Sequence, residues 1–402
     1  DVSLDVDFFE AGGDSIRAAQ LFSDVEREFG IVFPLTLLME AGTIRALAAA
    51  IHRDRAGSKP EGGSTGASQM TGRPISEERI LEIWRRLLSR DDLGPADDFF
   101  ESGGDGTLAL QMRAEIAAIR GTSFPLARLV AARTARDLAT ALDPAADVPM
   151  PPPSVVRLRE GSSAFFFCFS GRGTDVLKFR LLADHLDPGI GMCAGRGFGL
   201  AGGPLPPPDM ILLIELALEE IRAFQLTGPY ALGGHSGGGQ LALEIAGRLR
   251  EQGEAVSLVF MIDTARAESM VPNRPPLRER IASLRRHFRH HLRGWLNMMT
   301  RRIRRLRGIL GFPVPKHRPN RWAKVGDIYI QAAKDHRTRP YDGKVVYYRP
   351  FRGVNKRRPA TGWESLLSDF EVVSMPGGHI SVLEEPHVAV LARDLSMRLL
   401  AD

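Results

Sequence analysis

The chain has 402 residues, 44% of them hydrophobic and 25% charged, which indicates a globular protein of two or three domains. Its longest apolar runs are far shorter than a membrane span, which needs about 20 residues, so we expect no membrane span. Its acidic N-terminus lacks the basic head of a signal peptide, and we therefore expect a cytoplasmic protein. The two cysteines, Cys168 and Cys193, are too few for a disulfide framework or a cysteine metal site, so we expect two buried thiols and no metal.

The net charge of +5 is distributed unevenly along the chain. Residues 274–324 carry a net +15, from 14 Arg and 2 Lys against the single acid Glu279, whereas residues 1–50 carry a net −6. We interpret the basic stretch first as the solvated outer face of helices. The alternatives are a docking face for the acidic N-terminal residues and, least favoured, a membrane-surface or nucleic-acid patch, so no nucleic-acid partner is expected.

Two copies of one motif stand near the start of the chain, FFEAGGDSIRAAQL at 8–21 and FFESGGDGTLALQM at 99–112. Each copy is followed by a helix-periodic stretch, a Phe-Pro step and a short alanine-rich helix. The first copy has Ser15 where the second has Gly106, and no nearby hydroxyl of the second copy is a convincing substitute. The second unit also has an opening amphipathic helix that the first lacks, so we expect the given sequence to begin inside a domain.

Two stretches have the composition of linkers. Residues 54–75 are rich in Gly, Ser, Pro and Thr without an apolar period, and residues 143–154 are proline-rich and should be semi-extended. They divide the chain into units 1–53, 76–142 and 155–402.

The third unit alternates strands and helices, which predicts a doubly wound, mostly parallel sheet. The predicted strands are AFFFCFS, GIGMCAG, YALGGHS, AVSLVFMID, KVVYYRP and FEVVSMP, and the predicted helices are VLKFRLLADHL, DMILLIELALEEIRAFQ, GGGQLALEIAGRLREQG and HVAVLARDLSMRLL. The interruption from about 264 to 335 has helical spacing, and an insertion of this size over the strand ends predicts a lid.

The strongest chemical signal is Gly-Gly-His-Ser-Gly-Gly-Gly at 233–239, between a predicted strand and a predicted helix. A nucleophilic serine must stand on a very tight turn, and this explains why Gly234 and Gly238 flank Ser236. The turn directs the Gly237 N–H, at the start of the next helix, toward the reaction centre as half of an oxyanion hole. A Gly-rich turn with an exposed serine is the alternative interpretation.

Serine needs a base, and the base needs a group that orients it. Asp263 and His379 each follow a predicted strand, at the edge where open parallel sheets place their active sites. The chain order Ser, Asp, His matches the α/β-hydrolase triad. The second oxyanion donor is predicted to be the backbone N–H of Arg172, after the first buried strand. His235 is expected to point away from the nucleophile, and His287, His290 and His291 are expected to be solvated.

The repeated motif resembles that of the carrier domains of nonribosomal peptide synthetases. These are small four-helix bundles in which the serine of GGDS receives a 4′-phosphopantetheine arm. The resemblance implies that Ser15 is the attachment residue and that a phosphopantetheinyl transferase modifies it. Gly106 departs from the family pattern at the one atom that the modification needs, so the second copy is a spacer or docking unit, or a silenced carrier.

The third unit resembles the terminal type I thioesterase of such synthetases through GGHSGGG, PYDGKVV at 340–346 and PGGHISVL at 376–383. The resemblance implies an enzyme of secondary-metabolite biosynthesis that follows upstream synthetase modules. A peptidyl chain would pass from the carrier thioester to Ser236 and leave by hydrolysis or, alternatively, by intramolecular cyclisation. A third possibility is an assembly that docks carriers without catalysis.

We therefore predict that a phosphopantetheinyl transferase adds one arm to this chain, at Ser15, and leaves residues 76–142 unmodified, since Gly106 has no hydroxyl. Intact-protein mass spectrometry before and after treatment measures the number of additions. Two additions would contradict the assignment.

Overall fold

A computed structural model describes residues 4–8, 21, 25, 37–55, 72–162, 164–171, 176–266, 321–352 and 362–401. Several of the sequence-based predictions lie outside these residues. They concern Ser15, most of the predicted linker 54–75, Arg172, and the part of the predicted lid between 267 and 320, which includes His287, His290 and His291. The described residues comprise part of a first helical unit, all of a second helical unit, and a unit built around one sheet.

In the first unit, the described helices are α1 (Leu37–Glu40) and α2 (Ile44–Arg55). Thr43 precedes α2, and its hydroxyl accepts a hydrogen bond from the Ala46 N–H at 3.1 Å, which is an N-terminal cap. The alanine-rich helix predicted from TIRALAAAIH is thus confirmed and extends three residues beyond that stretch.

The second unit contains four helices, α3 (Glu77–Leu88), α4 (Gly106–Arg120), α5 (Leu126–Ala131) and α6 (Ala135–Leu142). The side chains of Ser76, Asp105 and Thr134 cap α3, α4 and α6. Trp84 and Phe99 are fully buried between the helices, with ring centroids 5.2 Å apart. The four-helix unit that the resemblance implied is confirmed, and α5, after the Phe-Pro step, is an element that the sequence analysis did not predict.

A seven-stranded sheet forms the centre of the third unit, in the order β1-β3-β2-β4-β5-β6-β7. The strands are β1 (Val155–Arg159), β2 (Ala164–Phe169), β3 (Ile190–Gly195), β4 (Tyr230–His235), β5 (Val256–Ile262), β6 (Tyr341–Arg352) and β7 (Leu367–Gly378). All neighbouring pairs are parallel except β1 with β3. The predicted doubly wound sheet is confirmed, and the antiparallel edge strand β1 was not predicted.

Helices cover both faces of the sheet: α7 (Arg180–His185), α8 (Met210–Phe224), α9 (Gly237–Glu251), α10 (Arg321–Asp335) and α11 (His387–Leu399). Two short 3₁₀ helices, Val176–Phe179 and Ser381–Leu383, precede α7 and α11. Phe166 and Phe167 alternate along β2 and belong to different apolar clusters, one shared with α7 and α11 and the other with α8 and α9.

Strand β2 lies between β3 and β4, so the chain leaves β2 toward one side of the sheet and later returns on the other. The carboxyl ends at such a switch point form a crevice where open α/β sheets bind their ligands. The loop after β2 and the turn after β4, which holds Ser236, both lie at this crevice.

Cys168 and Cys193 are both free and buried, as predicted, and burial raises the pKa of Cys193 to about 12. Across the described ranges, no helix combines the length and the apolar character that crossing a membrane requires.

Candidate active site

Ser236 stands between β4 and α9 with φ 58° and ψ −132°. A positive φ is uncommon for a residue with a side chain, and such strain costs about 1–3 kcal/mol. The surrounding backbone leaves no room for larger neighbours. A Cβ on Gly234 would lie 2.6 Å from the Gly239 N atom, and one on Gly238 would lie 2.8 Å from the Ser170 carbonyl carbon. The structure thus supplies the physical reason for both flanking glycines.

The loop after β2 contacts this turn directly. A Cβ on Gly171 would lie 2.8 Å from the Gly237 N atom and 2.9 Å from the Ser236 Cβ, closer than real Cβ contacts. Gly237 is the first residue of α9, so its amide belongs to the N-terminal turn of that helix. Arg172, the predicted second amide donor, is outside the described residues, and Gly171 is its described neighbour.

The structure joins Asp263 and His379, which are 116 positions apart in the sequence, by a hydrogen bond of 2.8 Å between His379 Nδ1 and Asp263 Oδ2. The Asp263 side chain is fully buried, whereas that of His379 remains 32% exposed. The Ser236 N–H donates to the Ile262 carbonyl, next to Asp263, at 2.9 Å. The three residues predicted from strand ends therefore come together at one edge of the sheet.

Hydrogen bonds also fix the backbone around Asp263. Its own N–H donates to the Tyr348 carbonyl at 3.0 Å, across to β6. The carbonyl of the next residue, Thr264, accepts from the Tyr347 hydroxyl at 3.1 Å and from the Trp363 indole N–H at 3.0 Å. These bonds hold the turn after β5 in a conformation where Asp263 has a positive φ of 45°.

His235 contacts the candidate base, a role that the sequence analysis did not assign to it. Its ring is buried and lies 4.6 Å from the His379 ring, centroid to centroid. Lys178 Nζ lies 3.1 Å from His235 Nδ1, and His235 Nε2 lies 2.5 Å from the His379 carbonyl oxygen. An ammonium group can only donate, so Nδ1 accepts and Nε2 carries the proton that is donated to the carbonyl.

Burial lowers the pKa of His235 well below its ordinary value of 6.5, and the charge of Lys178 lowers it further. The neutral ring is the form that the contacts require, because a protonated Nδ1 would face the ammonium of Lys178. The residue next to the candidate nucleophile thus holds the backbone of the candidate base. The contact spans 144 positions in the sequence.

No group of three or more His, Cys, Asp or Glu side chains in the described ranges is arranged to hold a metal ion. The features that the site does offer are a strained serine, a buried carboxylate bonded to an imidazole, and amides at the start of a helix. This set suits acyl transfer through a serine ester.

The model of the thioesterase domain family matches residues 165–397, more than half of the chain and all of the site described above. The chain belongs to the thioesterase domain family. A second model, that of the phosphopantetheine attachment site, matches residues 1–51 and 78–142, ahead of the thioesterase domain. Such a carrier domain implies a 4′-phosphopantetheine prosthetic group, and the order of carriers followed by thioesterase is that of nonribosomal peptide synthetases.

Curated relatives of this thioesterase chain include several large synthetases. Indigoidine synthase of Streptomyces lavendulae is 30% identical over 192 residues, which are 47% of this chain and 15% of that protein. Enterobactin synthase component F of Escherichia coli K12 is 32% identical over 195 residues, again 47% and 15%. Chondramide synthase cmdD of Chondromyces crocatus is 28% identical over 364 residues, 80% of this chain and 9% of that protein. The chain thus spans a small part of each relative.

Among solved structures, the four-domain synthetase AB3403 bound to AMP and glycine aligns over 86% of this chain and 27% of its own, with 22% identity and a TM-score of 0.48. The NocB thioesterase domain aligns over 61% of this chain and 99% of its own, with 20% identity and a TM-score of 0.45.

We predict that His235 makes the protein less stable as the pH falls. Its pKa is lowered in the folded state, so its contribution is complete above about pH 6.5 and is lost as the pH decreases, by up to about 1.4 kcal/mol per pH unit. His235→Gln keeps a donor toward His379 and an acceptor toward Lys178 without titrating. Urea unfolding between pH 7.5 and pH 5, at about half-unit steps, should show a shallower decline for this variant, and equal declines would contradict the assignment.

Proposed function

We propose that this chain releases an acyl chain that is delivered as a thioester, with Ser236 as nucleophile, His379 as general base and then acid, and Asp263 as the residue that orients His379. The hydrogen bond between His379 Nδ1 and Asp263 Oδ2 is the observation that carries this proposal. It favours the tautomer in which Nε2 is free to take a proton.

In the first half-reaction, Ser236 Oγ attacks the thioester carbonyl carbon and its proton passes to His379 Nε2. The carbon–sulfur bond breaks, the thiol leaves with that proton, and the acyl group remains on Ser236 as an ester. The Gly237 N–H stabilises the developing oxyanion, and the Arg172 N–H stays the predicted second donor. In the second half-reaction His379 takes a proton from water, or from a nucleophile within the bound peptidyl chain, as its oxygen or nitrogen attacks the ester carbonyl carbon. The bond from that carbon to Ser236 Oγ then breaks, and His379 returns the proton to Oγ.

We place the delivering arm on Ser15, because the second unit does not fit the prosthetic group at Gly106. The 4′-phosphopantetheine group, when attached, supplies the thiol that presents the acyl chain. The contacts of the first unit support this choice. Leu38 and Leu47 form a buried apolar cluster with Leu177 of the thioesterase, and Trp322 packs against this cluster. Leu177 precedes Lys178, the partner of His235 in the candidate site.

The finer parts of the proposal concern the partners. The upstream synthetase modules would supply the peptidyl chain, a phosphopantetheinyl transferase would prime Ser15, and the reaction would take place in the cytoplasm. An assembly that docks carriers without chemistry is the contrasting function. It is disfavoured by the backbone strain at Ser236, since a binding surface has no need for a strained serine.

We predict that a fluorophosphonate probe labels Ser236 and that Ser236→Ala abolishes the labelling. Ser257→Ala serves as the matched control, because Ser257 lies at the start of β5 and the candidate site lies beyond the end of that strand. This variant should label like the unmodified chain. Asp263→Asn should lower thioester turnover by about 10³–10⁴-fold, because the wrong histidine tautomer is then favoured. Labelling that persists in Ser236→Ala would refute the nucleophile, and undiminished turnover in Asp263→Asn would refute the orienting role.

Hydrolysis is the preferred second half-reaction, with macrocyclisation or another lactone- or lactam-forming step as the alternative. Incubation with a soluble thioester of a peptide that has a terminal nucleophile should give mainly the free acid, as measured by liquid chromatography and mass spectrometry. A mainly cyclic product would mean that the pocket excludes water, and it would overturn the preference for hydrolysis.

A further inference from the structure

We propose that the unit at residues 76–142 is a fixed adaptor bound to helix α8 of the thioesterase domain and that it does not act as a delivering carrier. The position where a carrier has its prosthetic group forms part of the contact with the thioesterase. This inference concerns the second unit alone and does not depend on the proposed triad.

The contact at Gly106 is direct. The Gly106 N–H donates to Asp209 Oδ2 at 2.8 Å, and the other oxygen of the same carboxylate caps α8 by accepting from the Leu212 N–H at 3.0 Å. Gly106 is buried, whereas Thr107 beside it is exposed. A Cβ on Gly106 would lie 2.9 Å from Asp209 Cγ and closer still to Oδ1. Because both carboxylate oxygens are engaged, Asp209 cannot turn aside without losing both bonds.

A second contact lies further along α8, at Glu219. Glu219 Oε2 accepts a hydrogen bond from the Leu126 N–H at 2.8 Å, and Oε1 of the same side chain forms an ion pair with Arg113. Both side chains of this ion pair are partly buried, 21% exposed for Arg113 and 31% for Glu219. Arg113 also donates to the Phe124 carbonyl at 2.8 Å, so its position within the second unit is fixed.

Apolar packing connects these polar contacts. The core of the second unit, including Trp84 and Leu129, belongs to the same contiguous apolar cluster as Leu213 and Leu218 of α8. A carrier that visits several partners in turn needs a surface that releases easily, whereas a shared core resembles the interior of one domain.

The peptide between the two units is fastened at both ends. On the side of the second unit, the buried Arg128 donates to the Val148 carbonyl at 3.0 Å. On the thioesterase side, Arg196 donates to the Pro153 carbonyl at 2.9 Å, and Glu220 accepts from the Ser154 N–H at 2.7 Å. The predicted linker 143–154 is thus held against both units, which a mobile tether would not need.

The consequence is a division of roles between the two copies of the motif. If the second unit is fixed to the thioesterase, the unit that carries Ser15 is tethered to the thioesterase through residues 54–75 alone. Residues 143–154 do not act as a second tether. A shorter effective tether raises the local concentration of the loaded arm at the site.

The test compares Gly106→Arg with Thr107→Arg in the full chain. The same bulky side chain disrupts the contact with Asp209 at the first position and points to solvent at the second. Elastase cleavage within residues 143–154, followed by mass spectrometry, should become at least about tenfold faster in Gly106→Arg, and it should stay within about twofold of the unmodified chain in Thr107→Arg. If the unmodified chain is cleaved there as fast as Gly106→Arg, the proposal of a fixed adaptor is wrong.

Two further variants test whether the faster cleavage comes from loss of the contact with the thioesterase and not from a local effect of the new arginine on α4. Glu219→Lys disrupts the contact from the thioesterase side and should also accelerate this cleavage. Gly106→Ser restores the hydroxyl, and it should stay unmodified by a phosphopantetheinyl transferase that primes Ser15 in the same molecule. Priming of Gly106→Ser at a rate close to that of Ser15 would overturn the proposal. Fluorophosphonate labelling of Ser236 in each variant separates this result from a failure of the triad.

Discussion

The candidate site depends on one constraint, the crowding of backbone around Ser236. The turn that exposes this serine has a positive φ, and three segments meet there so closely that only glycine fits at Gly171, Gly234 and Gly238. The strain costs about 1–3 kcal/mol and is offset by the packing of the sheet and of α9. Because of this turn, the serine lies beside the first amide of α9, where an oxyanion can be stabilised.

The base side of the site is held by burial and by a fixed proton arrangement. Asp263 is fully buried and bonded to His379, while the neutral ring of His235 joins Lys178 to the His379 backbone. A histidine held at both its ring and its backbone carbonyl has little freedom to turn away, which suits the role proposed for His379 of taking and returning one proton. The first unit packs against Leu177, beside the same network.

The sequence was sufficient to predict features that follow from local pattern and chain direction. Ser236, Asp263 and His379 could be located because each follows an apolar strand, and parallel strands end at one edge. The edge strand β1 was missed because VVRLR has only five residues, two of which are arginines. The contacts of His235 with Lys178 and of Gly106 with Asp209 join positions 57 and 103 residues apart, and no local pattern encodes such pairs. The motif showed that Gly106 lacks a hydroxyl, and only the fold showed what contacts it.

The most direct measurement of the central claim follows an acyl group through the chain. Ser15 would be primed with an acyl-phosphopantetheine, and peptides containing Ser15 and Ser236 would be analysed by mass spectrometry over time. We expect the acyl mass to leave the Ser15 peptide, to be found on the Ser236 peptide, and to stay on Ser15 when Ser236 is replaced by alanine. Release at an unchanged rate in the alanine variant, with no acyl group ever found on Ser236, would contradict it.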